Sequence, residues 1–485
     1  MSVSPTIILL IVSILLFVSV VVSKTANRTG LPMLTLFLLI GILAGQEGIG
    51  KITFDTPETA QFLGIIALCF ILFSGGLDTK FDQVKPIVWR GTVLATFGVL
   101  LTATSLGAFV YWVTDFGWLE SLLLGSIVSS TDAAAVFSIF RSKNTGLKRN
   151  LRPTLELESG SNDPMAYFLT LTFISLIREP DLSVWIMIPI FLKGMMLGAL
   201  MGFVIGKITV RVINNINLYV EGLYPVLTIA MMFFSYALTE FIGGNGFLAI
   251  YISGLVIGNS NFIHKQSLLK FYDGFAWLMQ ILMFITLGLL VLPSHMLPIV
   301  GVGLLISVFL ILVARPLAMI LCLLPFKIRY KDLTFVSWVG LKGAVPIIFA
   351  TYPIVEKIPN ADTIFHIVFF ITLTSLLLQG TTLFNVAQWL KLTIPEGKAK
   401  KPILDFDSDT EKPLLEEIAI EPNFECVGKT IVNLELPKTV LIVMVEREDK
   451  YFTPRGSTVL EAGDRLTILS DTETNLEAAF HVLKA

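Results

Sequence analysis

Charge is scarce in this chain. Only 15% of its 485 residues are Asp, Glu, Lys or Arg, while 54% are hydrophobic and the mean hydropathy is +0.79; soluble domains carry about 25% charged residues. That deficit excludes a soluble enzyme, a disordered chain and a nucleic-acid binder. Cysteine is scarcer still. Cys69, Cys322 and Cys426 stand far apart, which leaves neither a disulfide framework nor a CxxC metal site. The four histidines (His264, His295, His366 and His481) avoid the middle of every apolar run, so a pH sensor among them has only weak support. Paired nucleophiles, metal clusters and phosphate loops are absent from the sequence, so catalysis has no basis and no cofactor is expected. The apolar runs show no period-two alternation, which excludes a barrel and leaves a polytopic α-helical membrane protein.

What charge there is falls unevenly. Residues 402–485 hold 17 acids and 8 bases, net −9, whereas residues 1–401 hold 20 and 27, net +7. The expected organisation is a transmembrane domain over 1–392, a linker over 393–413 and a small cytosolic α+β domain over 414–485. About 20 mostly apolar residues cross a bilayer as a helix. About thirteen such runs occur, at 5–23, 31–48, 60–77, 88–112, 117–140, 155–177, 183–206, 222–240, 245–260, 271–292, 297–324, 333–355 and 363–390. Loops after the odd-numbered runs hold 21 Lys and Arg and the alternate loops three (Lys51, Arg178 and Lys357). Positive loops stay inside, so the N-terminus is expected outside and the tail in the cytoplasm. The run 5–23 has no charge before it and two after, the reverse of a cleaved signal peptide, and is expected to be retained.

Few charges remain inside the runs: Lys193, Arg315 and Lys342, with Asp132, Glu156, Glu158 and Asp163 as the principal acids. Each costs at least about 2.5–3.5 kcal/mol at mid-bilayer on insertion scales, so such groups mark ion or proton paths. In run 6, Ser159 and Asp163 share one helix face and Glu158 and Asn162 the adjacent one. A carboxylate in a partly dehydrated cavity can hold a proton or a monovalent cation, and that competition suffices for exchange. For Glu156 a helix-start cap after Pro153 is the alternative. Run 5 contains Ser129-Ser130-Thr131-Asp132, where Thr131 or Asp132 can start a second half-helix. Run 12 is interrupted in the same way by Gly340-Leu341-Lys342-Gly343-Ala344. Runs 5 and 12 lie an odd number apart and cross in opposite directions, the pattern with which inverted-repeat transporters build a mid-membrane site. Arg315 needs an acid, with Glu158 preferred; Lys342 is then left to neutralise the carbonyl ends of the broken helices. Lys193 has no matching feature and suits snorkelling or a subunit interface.

Thr131-Asp132, Glu158-x-x-x-Asn162-Asp163, Ala314-Arg315-Pro316 and Gly340-x-Lys342-Gly343-Ala344 together resemble the cation/proton antiporter family of the sodium/proton exchanger type, over residues 1–390. The resemblance implies inverted repeats with two broken helices and Asp163 as the residue binding cation and proton. Thr131, Asp132, Ser159 and Asn162 join it at the site, Glu158 and Arg315 form a structural ion pair, and Lys342 compensates charge at the breaks. It also implies one-for-one electroneutral exchange and a homodimer. Lys342 stands where many members have Arg, which keeps the charge and loses the fork. In the tail, the stretches from Cys426, Val440 and Phe452 read as short strands between turns, with a helix at 473–484. With Glu461-Ala-Gly-Asp-Arg-Leu466, the tail is similar to a TrkA-C-type regulatory domain over about 415–485. Such domains pair and bind small ligands, and the resemblance implies one of nucleotide type here.

The expected function is a K⁺ and/or Na⁺ for H⁺ antiporter in the bacterial plasma membrane, surrounded by lipid and regulated by its tail, and not an enzyme. The alternative is an anion or dicarboxylate permease with a regulatory tail, which needs a site dominated by cations. A ligand-gated channel needs a continuous polar lining that the sequence does not display.

Overall fold

The computed structural model describes residues 4–29, 32–54, 56–143, 145–395, 414–422, 424–437, 439–447, 450–470 and 473–484. It divides into two compact units, 1–399 and 400–485. In the first, helices follow the apolar runs in order: α1 Pro5–Thr29, α2 Met33–Ala44, α3 Pro57–Asp78, α4 Phe81–Val113, α5 Trp118–Ile127, α6 Ala133–Ser142, α7 Leu151–Arg178 and α8 Val184–Ile216. There follow α9 Leu223–Phe241, α10 Gly246–Gly258, α11 Lys265–Leu290, α12 Pro293–Phe326, α13 Tyr330–Trp338, α14 Ala344–Val355 and α15 Ala361–Trp389. Among the described residues, eight helices are long and apolar enough to cross a bilayer (α1, α3, α4, α8, α9, α11, α12 and α15). The charged α7 is 28 residues long, about 42 Å at 1.5 Å per residue, so it has the length without the composition.

Two stretches of chain carry matched irregularities. In α4 a 3₁₀ turn at Lys85–Ile87 precedes a π turn at Leu94–Gly98; in α12 the same order recurs at Leu297–Ile299 and Leu310–Ala314. Each distorted helix leads directly into an interrupted one, α5/α6 after α4 and α13/α14 after α12. Phe109 of α4 and Phe309 of α12 stack at 3.8 Å, joining the two distorted helices. Elsewhere small residues let backbones touch, as between α2 and α11, where a Cβ on Gly288 would come within 2.8 Å of the Gly41 Cα.

A two-stranded antiparallel pair closes this unit. Strand β1, Thr145–Leu147, lies in the connector between α6 and α7; β2, Thr393–Pro395, follows α15, with Gly146 opposite Ile394. The Lys148 backbone N–H donates to Leu392 O at 2.9 Å, and its Nζ donates to Lys391 O at 2.9 Å. Residues 393–395, expected to open the linker, therefore form a strand. The rest of that linker, 396–413, lies outside the described residues.

The second unit is a four-stranded antiparallel sheet in the order β3-β6-β4-β5, from β3 Leu414–Ala419, β4 Val440–Arg447, β5 Lys450–Phe452 and β6 Arg465–Ser470, with one helix, α16 Glu473–Lys484. Ile442, Val445, Leu466, Ile468, Ala479 and Leu483 fill its core. The strand expected from Cys426 is not there. Turns at 425–428, a single bridge from Thr430 to Val459 and a 3₁₀ turn at Ile431–Leu434 occupy that stretch. Gly428 and Glu435, both at positive φ, interrupt any continuous extension. At the turn before β6, Gly463 takes φ +95° and Asp464, fully buried, receives two bonds from Arg447 at 2.7 Å.

Candidate ion-binding site

The site is built where two helices stop. Chain 128–132 separates α5 from α6, and Asp132 is the N-cap of α6, its Oδ1 accepting the Ala135 N–H at 3.0 Å. Chain 339–343 separates α13 from α14. The two interruptions meet: the Asp132 N–H donates to Leu341 O at 2.8 Å. Gly343 makes the meeting possible, because a Cβ there would collide with the Asp132 carboxylate. Helices that end in mid-membrane leave carbonyls without partners. The Lys342 Nζ supplies donors to two of them, Ser130 O at 2.9 Å and Ser129 O at 3.4 Å.

Helix α7 runs past the first break and sends a ladder of side chains to it. Ser130 Oγ donates to Asp163 Oδ1 at 2.5 Å, and Asn162 Nδ2 donates to Thr131 Oγ1 at 2.6 Å. Ser159 Oγ donates to Thr131 O at 2.9 Å and accepts the Ala133 N–H at 3.0 Å, bridging the gap from the loop to the start of α6. One consequence is local: Pro164 cannot donate to Gly160 O, so α7 loses a backbone bond one residue after Asp163. The Asn245 side chain meets the Pro164 carbonyl at 3.0 Å while its own Oδ1 caps α10 at Leu248 N.

Glu158 and Arg315 lie 2.6 Å apart, with only 2% and 4% of their side chains exposed, and join α7 to α12. The Arg315 stem packs against Gly340, where an added Cβ would sit 3.2 Å from its Nε. Thus the pair also buttresses the second break. Asn162 and Lys342 are buried behind the first break, whereas Thr131, Asp132, Ser159 and Asp163 line a cavity of about 170 Å³. That space admits several waters or a partly hydrated cation. Its far end is bounded by Asp78, Arg141, Arg152, Glu156 and Asp273, at the end of the helices whose loops hold most Lys and Arg. At the opposite end, Arg178 pairs with Glu356 and Asn360 donates to Glu120 at 3.1 Å. Lys193 lies exposed on α8 and Glu156 bonds Arg152 at 2.8 Å, neither at the break. Among the described residues, no group of three or more His, Cys, Asp or Glu could hold a metal ion.

Sequence reasoning did not single out Ser130 as the donor to Asp163, nor Asp78, Tyr251 and Asp273 as cavity wall. Ser130 stands beside Thr131 in a stretch already read as a helix interruption, and that was the available signal. The wall residues come from helices far apart in the chain and carried none.

The model of the sodium/hydrogen exchanger transmembrane family matches residues 12–389, and that of the TrkA-C domain matches 415–480. The chain is 42% identical over 477 residues to the K(+)/H(+) antiporter NhaP2 of Shewanella sp. (strain ANA-3), covering 97% of this chain and 82% of the relative. It is 37% identical over 463 residues to the K(+)/H(+) antiporter NhaP of Alkalimonas amylolytica, covering 95% and 80%. In fold it is similar to the sodium proton antiporter MjNhaP1 of Methanocaldococcus jannaschii, with a TM-score of 0.68, 23% identity and coverage of 78% of this chain and all of that one.

Proposed function

The chain belongs to the sodium/hydrogen exchanger family, and from that premise we propose that it exchanges K⁺ or Na⁺ for protons on one carboxylate, Asp163. The observation that carries this reading is the crossing of two interrupted helices beside a buried acid that also faces a cavity. When ionised, Asp163 offers the cation a charge, and Thr131, Ser159 and Asp132 offer it oxygens in place of lost water. Protonation removes the charge and releases the ion. One carboxylate serving both ligands in turn is enough to couple their opposite movement. Potassium is favoured over sodium by the names of the relatives that share most of this chain's length. An anion permease would need cations facing the cavity at its deep end, where Thr131, Asp132, Ser159 and Asp163 stand instead.

Orientation follows from the loops. With the Lys- and Arg-rich end in the cytoplasm of a bacterial inner membrane, the N-terminus lies outside and the cavity reaches Asp163 from within. The contacts Arg178–Glu356 and Asn360–Glu120 then close the outer side. Alternating access requires these to part while the inner cavity shuts. We assign the active form as a homodimer and the TrkA-C unit as a regulator answering to a small ligand of nucleotide type. The β1–β2 pair supports coupling of the tail to transport, because it joins the chain leaving α15 to the connector between the two helices that carry Asp132 and Asp163. Vesicles containing the full chain test the assignment through dequenching of a pH-sensitive dye. Added K⁺ or Na⁺ is expected to move protons across a range of pH. Uptake of labelled succinate without any cation-driven proton movement would refute it.

A further inference from the structure

Helix α15 is apolar through most of its 29 residues, yet two polar side chains one turn apart, Ser375 and Gln379, are each only 1% exposed. Both face the second break. The Lys342 backbone N–H donates to Ser375 Oγ at 3.0 Å, Ser375 Oγ donates to Gln379 Oε1 at 2.5 Å, and Gln379 Nε2 donates to Trp338 O at 2.8 Å. The direction of every donor is fixed. An amide N–H must donate to Ser375, which leaves its hydroxyl to donate onward, and the Gln379 amide then turns its nitrogen to the Trp338 carbonyl where α13 ends, which also accepts the Gly340 N–H at 2.9 Å. The peptide unit joining Leu341 to Lys342 is therefore held on both sides, its carbonyl by the Asp132 N–H and its N–H by Ser375.

We propose that Ser375 and Gln379 are positioning residues of the exchange reaction. They set the two breaks in register and thereby place the Lys342 ammonium against the Ser129 and Ser130 carbonyls. The effect reaches Asp163 through one residue, because Ser130 presents its carbonyl to Lys342 and its hydroxyl to Asp163. The charged groups around Lys342 are Asp163, Glu158 and Arg315, with Asp132 at the same crossing. Glu158 and Arg315 are paired with each other, so a displaced Lys342 changes chiefly what Asp163 experiences. A cation that withdraws leaves a carboxylate harder to ionise, and half-maximal exchange then requires a higher pH.

This proposal rests on the antiport reading above. The test is cation-driven proton movement by the full-length chain in vesicles for Ser375→Ala, Ser375→Thr, Gln379→Leu and the Ala/Leu double variant, alongside Asp163→Asn. Ser375→Ala and Gln379→Leu are each expected to lower the rate by roughly ten-fold, the scale of one lost buried hydrogen bond, and to move the pH profile toward alkaline. The double variant is expected to lose no more than either single one, and Ser375→Thr, which keeps the hydroxyl, to recover most of the rate. Unchanged rates, a fixed pH profile, multiplied losses in the double variant or a Ser375→Thr as defective as the alanine would each overturn the proposal. If Gln379→Leu does not fold, the Ala and Thr variants at 375 decide the matter by rate and pH profile. If Asp163→Asn still exchanges, the antiport reading itself has failed; if it is inactive while the relay variants behave as wild type, only the relay has.

Discussion

Removing either partner of the Glu158–Arg315 pair should harm the protein more than removing both. The two charges lie 2.6 Å apart with at most 4% of either side chain exposed, between α7 and α12. Taking one away strands the other in a low-dielectric interior, a loss of about 3–5 kcal/mol, whereas replacing both by apolar residues of similar size is often close to neutral. Against a total stability of roughly 5–15 kcal/mol, Glu158→Leu or Arg315→Leu alone should sharply lower the yield of folded protein and its thermal midpoint in detergent. The double Leu variant should recover most of both. Neither residue lines the cavity, so vesicles with equal amounts of folded double variant should retain cation-driven proton movement. Size-exclusion profiles after graded heating supply the stability reading. Equal or greater damage in the double variant, or a stable double variant with no transport, would refute the view that the pair is a neutral brace between helices.

Gly343→Ala would drive a methyl group into the Asp132 carboxylate; exchange should fall by at least about ten-fold, and a wild-type rate would show that the crossing does not need this close approach. In the tail, burial pushes the Asp464 carboxyl up, but the Arg447 guanidinium and the Glu461 N–H outweigh it and hold Asp464 below its ordinary value. Stability from that arrangement is therefore present above the unfolded-state value, about pH 4, and is lost as pH falls further through the folded one. Protease resistance of the tail domain followed from pH 6 to 3 should show this loss, and Arg447→Ala should flatten it; an unaltered pH dependence in that variant contradicts the assignment. Gly146 and Ile394 face one another in the β1–β2 register, where paired Cα atoms lie about 4.5–5.5 Å apart, within disulfide reach. In Gly146→Cys/Ile394→Cys, oxidation should alter the transport rate at least two-fold and reductant should reverse it; indifference to oxidation would make the pair a static seam.

Those elements differ in how far they could be read from sequence alone. Lipid penalises every buried charge, so Asp132, Asp163, Glu158, Arg315 and Lys342 stood out against their apolar surroundings. N-capping is chemistry within a few residues, which is why a half-helix starting at Thr131 or Asp132 is legible in the sequence, and Asp132 is the N-cap of α6. The bond from Ser130 to Asp163 and the relay through Ser375 and Gln379 could not be read. They depend on chain segments 33 or more residues apart being brought together, and a lone Ser or Gln in an apolar helix carries no cost large enough to draw notice. In the tail, apolar residues around Ile431 mimicked a strand, but two positive-φ positions bend that stretch into turns and a 3₁₀ segment. Burial pattern is a weak guide where the backbone reverses so often.

In this mechanism one carboxylate, Asp163, is used alternately by cation and proton. The most direct measurement is K⁺- and Na⁺-driven proton movement in vesicles, for wild type and Asp163→Asn at matched folded protein, with cation concentration titrated at several pH values. Protons should compete with the cation in the wild type, so that the concentration giving half-maximal rate rises as pH falls, and Asp163→Asn should show no coupled movement at any pH. Coupled exchange persisting in Asp163→Asn, or a half-maximal cation concentration indifferent to pH, would contradict it.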